Sequence, residues 1–166
     1  MHGDSVELDD VRRLRVLAEA EGHRMQVERV LPLPFDTVWS VAGDLEAELP
    51  QLVRGLLSFR INGASADQRR LTATATSLLG HQQAFDVVLR PGWCLLRSPT
   101  VVGCMAAVPE GESVRFAFFG GLRMSTLQSV RRLFGETSAS RGRRLMDRFE
   151  RRVRLRDATA GPWPGP

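Results

Sequence analysis

The chain has 166 residues, of which 43% are hydrophobic and 25% charged, a composition that suits one globular domain with a core of its own. Its two cysteines and three histidines are too few for a disulfide framework or a zinc cluster, so we expect no metal and no cofactor. Lysine and tyrosine are absent, which excludes catalysis by a Schiff-base lysine or by a tyrosine acid.

The net charge of +4 conceals a segregation of charge along the chain. Residues 1–50 carry eleven acidic residues against five arginines, whereas residues 123–156 carry eleven arginines against three acidic residues. Such asymmetry occurs in proteins that bind nucleic acid or anionic membranes, and also in folds whose acidic half neutralises the basic half. We favour the second explanation, because a charged helix face is usually a solvated face.

The sequence, and its N-terminal part in particular, indicates where in the cell the protein is expected. No stretch approaches the roughly 18 consecutive apolar residues of a membrane span. Acidic residues stand where a signal peptide carries positive charge, namely Asp4, Glu7, Asp9 and Asp10. We therefore expect a cytoplasmic protein without a membrane span.

The first predicted element is a helix over residues 4–22, which Gly22 is placed to end. Its apolar residues share one stripe, formed by Val11, Leu14, Leu17 and Ala18. A lone helix of this length is marginal in water, so the stripe must pack against a surface. We expect that surface to be the domain itself or a second copy in a homodimer, with the acidic flank of the helix near the arginines of the C-terminal helix.

The next segments alternate between strand and helix. Residues 24–31 have the period-two pattern of a strand, which stops at prolines. Residues 35–49 return to helical spacing through Val38 and Trp39. Asp44 is placed to cap a second short helix that ends before Pro50.

From Gly55 onward the apolar pattern has a period of two, which predicts about six antiparallel strands joined by hairpin turns. The last two, residues 101–108 and 114–119, are apolar on both faces, which indicates burial from both sides. Residues 137–156 then form a long amphipathic helix. Its buried stripe comprises Leu145, Met146, Phe149 and Val153. The tail, residues 157–166, has no core pattern, and we expect it to be disordered.

Two segments resemble the SRPBCC superfamily, the helix-grip domains that include START lipid-transfer domains and bacterial polyketide cyclases: VERVLPLPFDTVWSVAGDLE (27–46) and RGRRLMDRFERRVR (141–154). In the family a strand meets a proline, and the helix that follows begins with a small-to-large pattern that ends in Val-Trp, here Val38-Trp39, with an aspartate a few residues on, here Asp44. The resemblance implies an α+β helix-grip fold, in which a curved antiparallel sheet wraps around the long C-terminal helix. It assigns residues 24–156 to this domain and residues 1–23 to an N-terminal helical extension outside the family pattern. It also implies that the protein is bacterial.

A curved sheet with one long helix across its concave face tends to leave a cavity, a usual location for a small-molecule site. We predict ligand contacts from Leu57, Phe59, Ile61, Phe85, Val87, Arg97, Met105, Phe116, Phe118, Met146 and Phe149. Arg97 interrupts an apolar strand and shares a face with Trp93 and Leu95. Either Arg97 points into the cavity toward an anionic ligand group, or this face is the solvent face of the sheet.

Candidate catalytic groups are few. His81 and Asp86 are five residues apart on one predicted strand and therefore on opposite faces, so a dyad would need a bulge. The carboxylate pairs are interpreted as solvated: Glu46 with Glu48, and Glu110 with Glu112. Cys94 and Cys104 are interpreted as small buried residues on neighbouring strands. No catalytic residue is assigned.

The sequence thus predicts binding of an apolar or amphipathic small molecule, polyketide-like or lipid-like, by a cyclase or dehydrase or, alternatively, by a non-catalytic carrier or regulatory module. A catalyst of this kind would hold a flexible substrate in a water-poor cavity and stabilise enolate charge with a buried arginine. Electrostatic binding of nucleic acid or a membrane through the arginine-rich helix is disfavoured. Exposed aromatics do not accompany the arginines, and Phe149 falls on the core stripe. We expect no specific nucleic-acid partner.

Overall fold

A computed structural model describes residues 8–22, 25–64, 70–123 and 137–159, and its helices and strands lie within those ranges. The C-terminal helix, Thr137–Thr159, continues past the predicted end at residue 156, and residues 160–166 of the predicted tail lie outside the described residues. The order along the chain is α1 (Asp10–Ala20), β1 (Gln26–Leu31), α2 (Phe35–Ala42), α3 (Leu45–Leu52), β2 (Leu56–Ala64), β3 (Arg70–Ser77), β4 (Gln82–Arg90), β5 (Trp93–Arg97), β6 (Val101–Glu110), β7 (Ser113–Leu122) and α4 (Thr137–Thr159).

The strands form one antiparallel sheet in the order β1-β7-β6-β5-β4-β3-β2. Strands β2 to β7 pair with their neighbours in sequence, and β1 adds to the outer edge of β7. The turns before β5 and β7 contain Gly92 and Gly111 at φ 81° and 62°, a left-handed backbone that favours glycine. The run of six antiparallel strands predicted after Gly55 is confirmed.

Helices α2, α3 and α4 cover the inner face of the sheet, and the main core lies between these two layers. Trp39 of α2 is only 2% exposed. Phe149 of α4 stacks on Phe116 of β7 with ring centroids 4.2 Å apart. Met146 and Val153, one turn to either side of Phe149, are fully buried, as the helical spacing predicts. The predicted α+β helix-grip fold is therefore confirmed.

Asp44 caps α3, and its carboxylate accepts a hydrogen bond from the Ala47 N–H at 3.4 Å. The expectation that this helix ends before Pro50 is wrong, because α3 continues to Leu52. Leu52 is buried in the core, and the Val53 N–H donates to the carbonyl of Leu49 at 2.8 Å. Burial of Leu52 and this closing bond offset the hydrogen bond that the proline cannot donate.

Glu48 of α3 is buried at 2% exposure, so its interpretation as a solvated carboxylate is wrong, whereas Glu46 is exposed. The two carboxylate oxygens of Glu48 accept hydrogen bonds from Arg152 at 2.6 and 3.1 Å, and one of them also accepts from Arg156 at 2.7 Å. Arg156 donates in addition to the carbonyl of Ser40 in α2 at 2.6 Å. Two guanidinium groups thus compensate one buried carboxylate and connect α4 to α2 and α3.

Helix α1 packs on the outer face of the sheet, across β6 and β7. Val11 and Leu14 are fully buried there. Their partners on the sheet are Val102, Cys104, Ala106, Ala117 and Phe119. The predicted packing of the apolar stripe against the domain is confirmed, and burial of the stripe does not require a second copy.

The acidic residues of α1 pair with arginines of the sheet. The expectation that they lie near the arginines of the C-terminal helix is wrong, because the apolar stripe places α1 on the sheet face opposite to α4. One pair lies at the beginning of the helix and joins Asp10 to Arg90 at 2.5 Å. The others join Asp9 to Arg115 at 3.0 Å and Glu21 to Arg97 at 3.1 Å.

The stacking of Phe149 on Phe116 generates the first prediction. Phe149→Ala should lower the free energy of unfolding by about 3 kcal/mol, because it removes a buried ring and leaves a cavity. Leu155→Ala is the matched control, since Leu155 lies on the same helix at 63% exposure and should change stability by less than about 0.5 kcal/mol. Chemical denaturation measures both. A loss well under about 2 kcal/mol for Phe149→Ala would contradict the position of α4.

The buried carboxylate generates the second prediction. Glu48→Gln should destabilise the fold by about 2 kcal/mol, because two guanidinium groups would then face a neutral amide. The figure is below that of a fully buried pair, since the Arg152 side chain is 37% exposed and solvent screens it. Glu112→Gln, at an exposed turn, serves as the control in the same denaturation experiment. Equal stability of the two variants would contradict the structural role of Glu48.

The third prediction concerns the packing of α1 over Cys104. Leu14→Ala should make Cys104 react at least about tenfold faster with a thiol reagent under native conditions, because weaker packing lets α1 detach more often. Cys94 lies on the other face of the sheet, so its rate of reaction should not change. Measuring each thiol alone, in Cys94→Ser and Cys104→Ser backgrounds, separates local opening from global unfolding. Equal acceleration of both thiols would refute a separately detaching α1.

Candidate ligand-binding cavity

A cavity of about 660 Å³ lies between the inner face of the sheet and helices α3 and α4. This volume falls within the roughly 300 to 1,000 Å³ of small-molecule sites. Its walls are mostly apolar, and six phenylalanines line it. Five of them, Phe59, Phe85, Phe116, Phe118 and Phe149, belong to the core on the inner side of the sheet, whereas Phe119 belongs to the cluster under α1.

The alternation of the strands places these side chains. On β7, Phe116 and Phe118 face inward, while Ala117 between them faces α1. The register sets Met105 of β6 beside Phe118, and Cys94 of β5 beside Met105. The apolar wall is therefore continuous across three neighbouring strands.

Six of the eleven residues predicted to contact a ligand line this cavity. They are Phe59, Phe85, Met105, Phe116, Phe118 and Phe149. Val87 and Met146 are fully buried in the core, and Ile61 packs against it, but none of these three lines the cavity. Their apolar character reflects core packing, which sequence alone does not distinguish from pocket lining.

Leu57 does not face the cavity and is 56% exposed. A β-bulge explains the difference, because β2 pairs Leu56 with Ser77 but Ser58 with Thr76, which leaves Leu57 without a partner. The extra residue shifts the alternation by one position. Leu56 lines the cavity in place of Leu57.

Arg97 lies on the outer face of the sheet, the face that it shares with Trp93 and Leu95. Its guanidinium donates to Glu21 of α1 at 3.1 Å, and its side chain remains 41% exposed. Arg97 therefore pairs with the N-terminal helix and does not line the cavity. The alternative in which it points toward a ligand is not supported by this position.

The sequence prediction missed the rim of the cavity. One side of the rim is the connection between α3 and β2, where Arg54 and Gly55 line the opening. The other side is the start of β4 and the turn before it, with Ser77, His81, Gln82 and Gln83. Gly55 at φ 89° marks this connection as a tight turn, but no periodicity assigns a turn to a cavity.

Arg148 of α4 lies near this rim and is half-buried. Burial lowers the pKa of its guanidinium, and the neighbouring charges of Arg54 and Arg151 lower it further. The Nε of Arg148 is buried and has no hydrogen-bond partner in the described part of the chain. The rim thus carries positive charge that no acidic residue of the described ranges compensates.

The chemistry available in the walls is limited. Burial raises the pKa of Cys94 to about 12, so its thiol stays protonated near neutral pH and is a poor nucleophile. His81 lines the cavity, whereas Asp86 pairs in register with Arg97 of the outer face, so the two share no face. Within residues 8–22, 25–64, 70–123 and 137–159, no cluster of His, Cys, Asp and Glu could hold a metal ion. No helix in these ranges is long and apolar enough to cross a membrane.

Comparisons with known proteins find relatives by structure alone. No protein-family model matches the chain, and no curated protein sequence matches it. TTHA0849 from Thermus thermophilus superposes with a TM-score of 0.58 at 16% identity, over 82% of this chain and 99% of its own. A START superfamily protein from Mycobacterium smegmatis gives 0.52 at 19% identity, over 81% and 99% of the two chains. The di-domain ARO/CYC StfQ of steffimycin biosynthesis gives 0.52 at 12% identity, over 80% of this chain and 45% of that protein.

These identities are low, and the superpositions therefore establish the fold. TTHA0849 and the Mycobacterium smegmatis protein each match more than four fifths of this chain over nearly their whole length. The fold that the sequence resemblance implies is therefore confirmed. The chain has the helix-grip fold of the START superfamily.

Proposed function

We propose that this is a cytoplasmic bacterial protein that binds an apolar or amphipathic small molecule, polyketide-like or lipid-like, between sheet and C-terminal helix. The observation that carries the proposal is the apolar cavity of about 660 Å³ inside an otherwise packed core. Protein interiors leave few voids larger than a water molecule. An apolar space of this size is therefore best explained by a ligand that fills it.

The energetics of such binding are favourable. Each methylene transferred from water into the cavity contributes about 0.8 kcal/mol, so ten of them contribute about 8 kcal/mol. Association costs at least about 4 kcal/mol in lost motion. A chain of ten or more carbons would bind with a dissociation constant in the micromolar to millimolar range before any polar contact is added.

Binding without chemistry is the function that the walls support best. The catalytic hypothesis needs a buried arginine to stabilise enolate charge, and Arg97 pairs with Glu21 on the outer face instead. Cys94 is held protonated by burial. A cyclase or dehydrase activity remains the second candidate, supported by the structural likeness to the di-domain ARO/CYC StfQ.

The arginines near the end of α4 support a small-molecule partner over nucleic acid. Three of them form ion pairs within the chain: Arg152 and Arg156 with Glu48, and Arg154 with Glu150. Guanidinium groups used in this way are less available for phosphate contacts, on which non-specific nucleic-acid binding depends. The proposal therefore includes no specific nucleic-acid partner.

The fourth prediction tests the cavity with uncharged probes. Tetradecan-1-ol and Nile red should bind the purified, delipidated protein, and at about one hundred times the dissociation constant they should stabilise it by about 2.7 kcal/mol. For a domain of this size, that corresponds to a rise in Tm of roughly 5 to 10 °C. Nile red fluorescence and thermal unfolding measure the two effects.

A cavity-filling variant makes this test specific. Ala75 lines the cavity from β3, and Ala75→Phe should abolish the response to both probes by occupying their space. Ala84→Phe is the matched control, because Ala84 is exposed on the adjacent strand and should leave the response unchanged. An equal response of both variants would place the probes elsewhere, and no response of the native chain would refute the proposal.

A further inference from the structure

Two arginines, Arg54 and Arg148, lie at or beside the rim of the cavity. Arg54 follows α3 and lines the opening. Arg148 lies on α4 between Leu145 and Phe149, both of which line the cavity. Within the described ranges, no ion pair joins either guanidinium to an acidic side chain. The two positive charges are near enough to repel each other.

Arg148 is the more informative of the two. Its Nε is shielded from solvent and donates no hydrogen bond to the described residues. A buried donor without an acceptor costs about 1 to 3 kcal/mol, and more on a charged group. A second positive charge nearby adds to this cost. The arrangement is unfavourable for the empty protein and becomes favourable when an anion lies at the rim.

On the next turn of α4, a carboxylate of the chain compensates an arginine. Arg152 lies one turn beyond Arg148, and its guanidinium is held by both oxygens of the buried carboxylate of Glu48. Arg148 receives no such carboxylate. Glu48 therefore compensates the charge of Arg152, whereas no carboxylate of the described residues compensates the charge of Arg148 beside the cavity.

We propose that the ligand is an amphipathic anion, with its apolar body in the cavity and a carboxylate or similar acidic group bound at the rim by Arg54 and Arg148. This inference rests on the proposed ligand binding and assigns the chemical class of the ligand. Arginine suits this task, because its planar donors match the two oxygens of a carboxylate. The apolar walls select the body of the ligand, and the rim selects its charge.

The test compares two ligands that differ only in the head group. Tetradecanoate and tetradecan-1-ol share the same apolar chain, and at about pH 8 the acid is ionised. Titration of the delipidated protein at low salt should give about tenfold tighter binding of the acid. High salt should reduce this preference, because the rim is partly exposed. Acetate alone should not bind detectably, since the apolar chain supplies the remaining affinity.

Variants with fewer positive charges then test whether Arg54 and Arg148 cause the preference for the acid. Arg54→Gln with Arg148→Gln should reduce the preference for the acid to about twofold or less, mainly by weakening the binding of the acid. Arg70→Gln with Arg143→Gln is the matched control. It removes the same net charge at two exposed positions, one at the opposite end of β3 from the rim and one on the Asp147 and Glu150 side of α4. This control should keep the preference of the native chain.

The outcomes separate this inference from the proposed function. Equal binding of acid and alcohol by the native chain would overturn the anionic head group and leave the cavity proposal standing. An identical loss of preference in both double variants would overturn the assignment to Arg54 and Arg148. Binding of acetate as tightly as tetradecanoate would overturn the amphipathic ligand in favour of a bare anion site. Failure of both ligands to bind would refute the proposed function itself.

Discussion

The two-sided burial of β6 and β7 is the constraint on which the rest of the structure depends. Their inward side chains, such as Phe116 and Phe118, and their outward ones, such as Ala117 and Phe119, are all withdrawn from water. A sheet that is apolar on both faces must be covered twice. Helix α4 covers one face through the stacking of Phe149 on Phe116, and α1 covers the other with its stripe of Val11, Leu14 and Ala18. The N-terminal helix is thus part of the core arrangement of this chain.

The cavity follows from unequal coverage of the inner face. Helices α2 and α4 pack over β1, β6 and β7, whereas α3 packs over β2 at the opposite edge of the sheet. Between these two contacts the strands still present apolar side chains, among them Phe59, Phe85 and Met105. A curved sheet with helices at both edges leaves the space between them unfilled, and the strands that bound this space determine the composition of its walls.

Periodicity predicted most of the fold, because a buried face imposes a period of two on strands and of 3.6 on helices. It therefore located the helix with Phe149 and the six consecutive strands.

Periodicity failed where a β-bulge breaks the alternation of a strand, or where a partner far along the chain determines whether a side chain is buried. The bulge at Leu57 exchanges the faces of Leu56 and Leu57 at the start of β2 without altering the composition of the strand. Glu48 is buried only because Arg152 and Arg156, more than a hundred positions along the chain, reach it. Six of the residues predicted to contact a ligand line the cavity, but sequence could not separate them from Val87 or Met146, since lining and core residues are equally apolar.

The segregation of charge acquires a structural meaning from these contacts. The acidic residues of the N-terminal segment are distributed over two faces: Asp9, Asp10 and Glu21 bind arginines on the outer face of the sheet, and Glu48 binds arginines of α4 beneath the inner one. Neutralisation within the fold therefore accounts for much of the charge that resembled a nucleic-acid-binding pattern.

Arginines outnumber the available carboxylates, and where the surplus lies on an open surface, water solvates it at little cost. At Arg148 the surplus lies half-buried beside an apolar cavity, where water solvates it less well. The half-buried position of Arg148, rather than the net charge of the chain, connects the electrostatics of the protein to its cavity.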